Sequence, residues 1–179
     1  MIKSIKHYKE TQLSRDLLLK KTKRNVMQTP NIDKVSINLA KKEALFSSNK
    51  LLIPLLLLKL ITGQKPKITK AKKSVAQFKL RKGKALGSKV TLRNSQMYTF
   101  LDKFFYGILP QTLEVKNKKL KTNINSFSIG IEDVSIFPEL ENQYEFLRNT
   151  QGLNIIITLN NNKLKKNSNC LFSGLKLPL

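Results

Sequence analysis

No aspartate or glutamate occurs between Glu43 and Asp102. Inside that span, residues 61–93 read ITGQKPKITKAKKSVAQFKLRKGKALGSKVTLR and carry Lys65, Lys67, Lys70, Lys72, Lys73, Lys79, Arg81, Lys82, Lys84, Lys89 and Arg93. A segment charged with one sign repels itself, so it becomes ordered only beside a polyanion or on a well-hydrated surface. Ile68, Val75, Phe78, Leu80, Val90 and Leu92 are threaded through the run and predict that it is ordered. We therefore expect an ordered segment that keeps a dense row of cations on its surface.

The rest of the composition points the same way. The chain has 179 residues, 40% of them hydrophobic, which suffices for a core, and we expect a single domain over residues 1–179. Its 34 Lys and Arg face 11 Asp and Glu, a net charge of +23, and such an imbalance favours nucleic acid, an anionic membrane or an acidic protein as partner. Twenty-nine of the cations are lysines, point charges suited to neutralising phosphate, and the five arginines are the better candidates for specific contacts. The abundance of Lys, Asn, Ile and Leu without Trp also matches translation of an A+T-rich genome, as in many organelles.

Several classes are excluded on inventory. One cysteine, Cys170, forms no internal disulfide, and with the single His7 it cannot build a four-ligand zinc site; we expect Cys170 to be a small core residue, and no metal or cofactor. The N-terminal MIKSIKHYKE lacks the apolar centre of a signal peptide. The longest apolar run, residues 51–58, falls short of the ~20 residues that cross a bilayer. No Ser, His and Asp set can be assembled, Gly83 and Gly87 are too close for a phosphate loop, and adjacent Glu132 and Asp133 read as a surface pair. A membrane-surface role would need the lysines on an amphipathic helix, whereas here they fall in a loop and on strands.

Periodicity supplies the elements. Residues 5–23 predict an amphipathic helix with Leu13, Leu17 and Leu18 inward and Lys9, Glu10, Arg15, Lys20 and Lys21 largely opposite, broken at residues 25–30. Residues 34–39 alternate as a half-buried strand, Val35, Ile37 and Leu39 against Lys34, Ser36 and Asn38. Residues 41–48 predict a turn and helix start, and 51–61 a strongly buried helix that admits Pro54 in its first turn and stops at Gly63. Two strands, 75–81 and 88–93, then form a hairpin across residues 82–87, with Gln77, Lys79, Arg81, Lys89, Thr91 and Arg93 outward.

From Ser95, Met97, Leu101, Phe104 and Ile108 mark a helix that Pro110 ends, its phenylalanines serving as core. Residues 113–125 read as a loop, 126–131 as a strand with Ser126, Ser128 and Gly130 outward, and 153–159 as a central strand apolar on both faces. A last helix covers residues 163–173 with Leu164, Leu171 and Phe172. About five strands and four or five helices without regular βαβ alternation predict an α+β fold: a mostly antiparallel sheet, helices packed on one face, the other open. That open face carries amides, hydroxyls and cations without a carboxylate, which suits phosphate and ribose.

Gly63-Gln-Lys-Pro66, Thr69-Lys-Ala-Lys-Lys-Ser-Val-Ala76, Phe78-Lys-Leu-Arg81, Gly87-Ser-Lys-Val-Thr-Leu-Arg93 and Met97-Tyr-Thr-Phe-Leu101 stand in an order and spacing that resembles a known family. So do His7-Tyr8-Lys9, Val26-Met-Gln-Thr-Pro30, Ser128-Ile-Gly130, Ile136-Phe-Pro-Glu139 and Gly152-Leu-Asn-Ile155. The family is the bacterial and organellar form of large-subunit ribosomal protein five, and the resemblance covers nearly the whole chain. It implies a non-catalytic part of the central protuberance, in contact with 5S rRNA, large-subunit rRNA, peptidyl-site tRNA and neighbouring ribosomal proteins, including one of the small-subunit head.

Carried over by motif, Asn38, Gln64, Thr91, Arg93, Ser128 and Gly130 form the 5S rRNA-docking set, and Lys70, Lys72, Lys73 and Lys79 the tRNA-facing loop and its root. The chain departs from the family at Ala40-Lys-Lys42, where a Gly-Val-Gly turn is usual, and over residues 113–125, which replace the family's Arg-Gly and Asp-Gly-Arg-Gly region. Added positive charge at both places would suit an altered rRNA. Because no transit peptide precedes the matched region, a mitochondrion that also encodes the chain is the expected location; a plastid or a bacterial cytoplasm is the alternative. The competing function is an RNA-binding regulator outside the ribosome.

Overall fold

The computed structural model describes residues 4–21, 25, 29–40, 51–78, 80–111, 121–123, 125–143, 152–160 and 165–175. Six strands are formed among them: β1 Asn31–Ala40, β2 Lys67–Lys70, β3 Ala85–Leu92, β4 Lys121–Thr122, β5 Ser126–Ile131 and β6 Leu153–Asn160. They make one sheet in the order β2-β3-β1-β6-β5-β4. The fold is α+β with a mostly antiparallel sheet, as expected. Val35, Ile37 and Leu39 of β1 and Phe127, Ile129 and Ile131 of β5 are all buried, so the period-two reading of those strands holds. Ser36 is a correction, since it is buried with them.

The hairpin differs from the expected one. Residues 75–81 do not form its first arm; β2 does, pairing antiparallel with β3 through Lys67↔Lys89, Ile68↔Ser88 and Thr69↔Gly87. Alternation in VAQFKLR satisfies the pattern of a strand, but pairing partners decide whether backbone hydrogen bonds close, and residues 76–78 form a single 3-10 turn instead. As the sheet's edge, β2 is four residues long and ends in lysines, features that discourage a further strand from adding there. β6 lies inside the sheet as expected, yet Ile156 is 37% exposed. Only one face of that strand is covered, and the prediction of burial on both faces is overturned.

The chain divides into two compact units. The first comprises Met1–Val35, Leu92–Ile129 and Ile156–Leu179. Its helix α1 runs through Ile5–Tyr8, a wide π turn Lys9–Leu13, and Ser14–Lys21. The widening is held by hydroxyls, with Thr11 Oγ1 donating to the His7 carbonyl at 2.7 Å and Ser14 Oγ to the Lys9 carbonyl at 2.7 Å. Lys9 stands four residues from both Ile5 and Leu13 and turns inward with them, against expectation. It is buried, its Nζ donates to Tyr98 Oη at 3.2 Å, and desolvation lowers its pKa below the ordinary lysine value.

Helix α2 is Leu52–Thr62, in the second unit, and α3 in the first runs through Asn94–Lys103, a π turn Phe104–Ile108, and Leu109–Gln111. Met97, Leu101, Phe104 and Ile108 form the buried stripe as predicted, and Phe100 stacks on Phe104 at 6.0 Å. Two details differ. The residue before the first turn is extended Arg93 rather than Ser95, and Pro110 does not end the helix. The π turn, closed by the Leu109 N–H on the Phe104 carbonyl, widens the backbone just ahead of Pro110, and the helix passes it by one residue. Helix α4, Lys165–Gly174, buries Leu171 and Phe172, and Phe172 lies 4.9 Å from Phe127. Cys170 is only half buried, contrary to expectation, and Leu164 lies outside the described residues.

The second unit comprises Ser36–Thr91 and Gly130–Ile155. In α2, Pro54 sits in the first turn, and its carbonyl accepts a 3.1 Å bond from the buried Ser88 hydroxyl. Gly63 closes the helix at φ +70, a left-handed conformation that favours glycine. Leu57, Leu58 and Ile61 are buried, but Leu52, Leu56 and Leu60 are exposed, so α2 is not buried all round as predicted. Gly87 allows close strand approach: a Cβ there would stand 2.5 Å from the Leu39 carbonyl oxygen. The expectations for residues 41–48 and 113–120 lie outside the described residues. Asn123 is described just beyond that second segment, and Lys121–Thr122 pairs with β5 as a short strand instead of a loop.

Candidate nucleic-acid interface

The β2–β3 hairpin brings like charges together. Lys67 and Lys89 are cross-strand partners and both are exposed, an arrangement that costs free energy in the unliganded protein and is relieved by an anion between them. Between the arms, residues 71–84 are braced rather than loose. The Ala71 N–H donates to the Lys84 carbonyl at 2.8 Å, and the Gly83 N–H to the Ala71 carbonyl at 2.9 Å. Further out, Val75 and Leu80 exchange both backbone bonds, at 2.9 and 3.1 Å. Lys70 closes β2, and Lys72, Lys73, Arg81 and Lys82 stand exposed around this ladder, while Lys79 lies outside the described residues.

The end of α2 delivers Gln64. Thr62 Oγ1 donates to the Leu58 carbonyl at 2.6 Å and accepts from the Gln64 N–H at 3.3 Å, and the left-handed Gly63 turns the chain between them. Gln64 Nε2 then reaches the Thr91 carbonyl at 3.4 Å, which brings two of the expected docking residues together across 27 positions. Thr91 and Asn38 are each half buried on β3 and β1. In the same unit Gly130 is exposed, and a Cβ on it would come within 3.3 Å of Asn154 Oδ1. Its lack of a side chain leaves that amide accessible.

In the first unit, Arg93 Nη1 meets Asp33 Oδ1 at 3.0 Å, with 55% and 34% of the two side chains exposed. This corrects the expectation that the outward strand positions hold no carboxylate. β1 begins three residues earlier than its alternation suggests, and the added length of strand carries Asp33. Ser128 is half buried between the buried Phe127 and Ile129.

Three residues escape a reading of the sequence. Asp33 lies in the part of β1 that precedes its alternation; Asn154 lies in a run whose isoleucines suggest two apolar faces; Phe78 has the spacing of an inward residue and is 65% exposed. No sequence signal identifies the Asp33–Arg93 pair. A residue count from Pro30 to the strand could have extended β1. Among the described residues no group of His, Cys, Asp and Glu could hold a metal ion, and no helix is long and apolar enough to cross a membrane. A groove in the first unit, about 470 Å³ between Ile5, Tyr8, Phe105, Tyr106 and Leu109, offers aromatic and aliphatic walls rather than an acid–base pair.

Two family models account for most of the sequence. That described as ribosomal protein L5 matches residues 25–81, and that of the C-terminus of the same ribosomal family matches residues 85–179. Among characterised proteins, the large ribosomal subunit protein uL5m of Reclinomonas americana is 42% identical over 177 residues, covering 97% of this chain and 96% of that protein.

Proposed function

This chain belongs to the ribosomal protein L5 family and is a non-enzymatic structural constituent of the large ribosomal subunit, and from that premise we propose that it binds 5S rRNA in a mitochondrial ribosome. Asn38, Gln64, Thr91, Arg93, Ser128 and Gly130 are assigned to that RNA. Lys70, Lys72, Lys73 and Lys79 are assigned to peptidyl-site tRNA, and a further edge to the small-subunit head. Identity to a uL5m protein supports the mitochondrial placement.

The observation that carries the reading is the Gln64–Thr91 bond. Two motif residues distant in sequence are held in one polar surface, and the amide keeps an N–H and its carbonyl for an RNA partner. Exposed Lys89, on β3, and Arg93, just beyond its end, flank Thr91 along the same alternation, so cations and hydrogen-bonding groups are interleaved at the strand's spacing.

Titration of the full chain with 5S rRNA at fixed salt tests it. Arg93→Ala is expected to weaken binding by about 1.5 to 3 kcal/mol, less what solvent recovers. Asp33→Asn supplies a sharper arm. It raises the net charge by one, so attraction alone would tighten binding; because Asp33 holds the Arg93 guanidinium at 3.0 Å, we expect weaker binding instead. Neither change should cost more than about 1 kcal/mol of stability, since the pair is exposed. Unchanged affinity in Arg93→Ala would remove this residue from the docking surface.

A further inference from the structure

We infer that Phe78 is a stacking contact for the flat face of a nucleobase in the RNA that the basic hairpin meets, an inference that rests on the ribosomal reading above. The residue sits in the 3-10 turn Ala76–Phe78 at the outer end of residues 71–84 and is 65% exposed. An exposed phenylalanine is disfavoured in water, and here the exposure is not the result of a slack loop. Two rungs of backbone bonds fix the turn: Ala71 with Lys84 and Gly83 at its base, and Val75 with Leu80 beneath the tip. The scaffold presents the ring instead of folding it under.

The charge around the ring selects the occupant. Lys72, Lys73, Arg81 and Lys82 are exposed in the same segment, and no acidic residue occurs between Glu43 and Asp102. An apolar peptide or a lipid chain would cover the ring but leave those cations without counter-charge. RNA meets both demands, with phosphates for the lysines and a base plane for the ring. Only an exposed base qualifies, because a base inside a continuous duplex offers its edges and not its face. Stacking is indifferent to salt, whereas the lysine contacts are not, so the two contributions separate experimentally.

Binding of the full chain to a folded tRNA, to 5S rRNA and to a continuous RNA duplex long enough that its two ends are a negligible share of the sites, measured across a salt series, is the test. Phe78→Ala is expected to weaken tRNA binding about tenfold or more while leaving the slope of log affinity against log salt unchanged, and to leave duplex binding unchanged. Phe78→Tyr should restore affinity and Phe78→Leu should not, because leucine is apolar but not flat. The chain has no tryptophan, so Phe78→Trp adds a single reporter whose emission should be quenched by tRNA and not by the duplex. Wild-type tRNA affinity in Phe78→Leu, an equal loss on duplex, or unquenched Trp emission in a bound complex would overturn the stacking contact. Should the wild-type chain bind 5S rRNA no better than the duplex, the ribosomal reading itself would fall, a result distinct from all of these.

Discussion

Phe127→Ala is expected to lower stability by about 3 to 5 kcal/mol, enough to unfold a protein of ordinary marginal stability in part at physiological temperature. Phe127 is fully buried in β5, and its ring lies 4.9 Å from that of Phe172 in α4, so truncation removes both an apolar payload and an aromatic pair. For a chain of this size the melting temperature should fall by roughly 6 to 20 °C. The informative control is the next residue. Ser128 points the other way on the same strand, and Ser128→Ala should move the melt far less than Phe127→Ala while weakening 5S rRNA binding. A large melting shift in Ser128→Ala, or a small one in Phe127→Ala, would contradict the assignment of inner and outer faces.

The second large effect is electrostatic. Replacing Lys70, Lys72 and Lys73 together by alanine removes three exposed cations from the hairpin. If each meets a phosphate, the slope of log affinity against log salt should become shallower by about 2, and tRNA affinity should drop by roughly one to two orders of magnitude at low salt. Stability should hold or rise, because self-repulsion in this segment is reduced. Calorimetry or anisotropy over a salt series gives the slope directly, and a slope equal to wild type would show that these lysines neutralise no RNA phosphate. The triple variant and Phe78→Ala are complementary, the first changing the slope and the second the intercept.

For β1 and β5 the sequence was a good guide because each carries its own record of burial. Val35, Ile37 and Leu39, or Phe127, Ile129 and Ile131, repeat at the period of a pleated backbone with one covered face, and nothing distant can alter that period. The helix of Met97, Leu101, Phe104 and Ile108 was legible for the same reason. The π turns were not. No local pattern announces the π turn ahead of Pro110, and Lys9, four residues from both Ile5 and Leu13, was placed outward for its charge.

The candidate interface divides along the same line. Amides, hydroxyls and cations at Asn38, Thr91, Arg93 and Ser128 could be placed outward from alternation alone, and the charge of the span from Glu43 to Asp102 pointed to a polyanion as partner. Which segments pair was decided only in three dimensions. Residues 67–70 and 75–81 both offer a short run able to lie beside β3, and the backbone bonds that choose β2 depend on the register and bulge of its partner. That choice released Phe78 to the tip. In the same way Asp33 and Arg93 stand 60 positions apart and meet through strand placement, which no local pattern encodes. Charge and periodicity are local, so they settle from the residues alone what kind of surface this protein presents. Which side chains share that surface waits on folding, because hydrogen bonds and ion pairs need partners that the unfolded chain keeps apart.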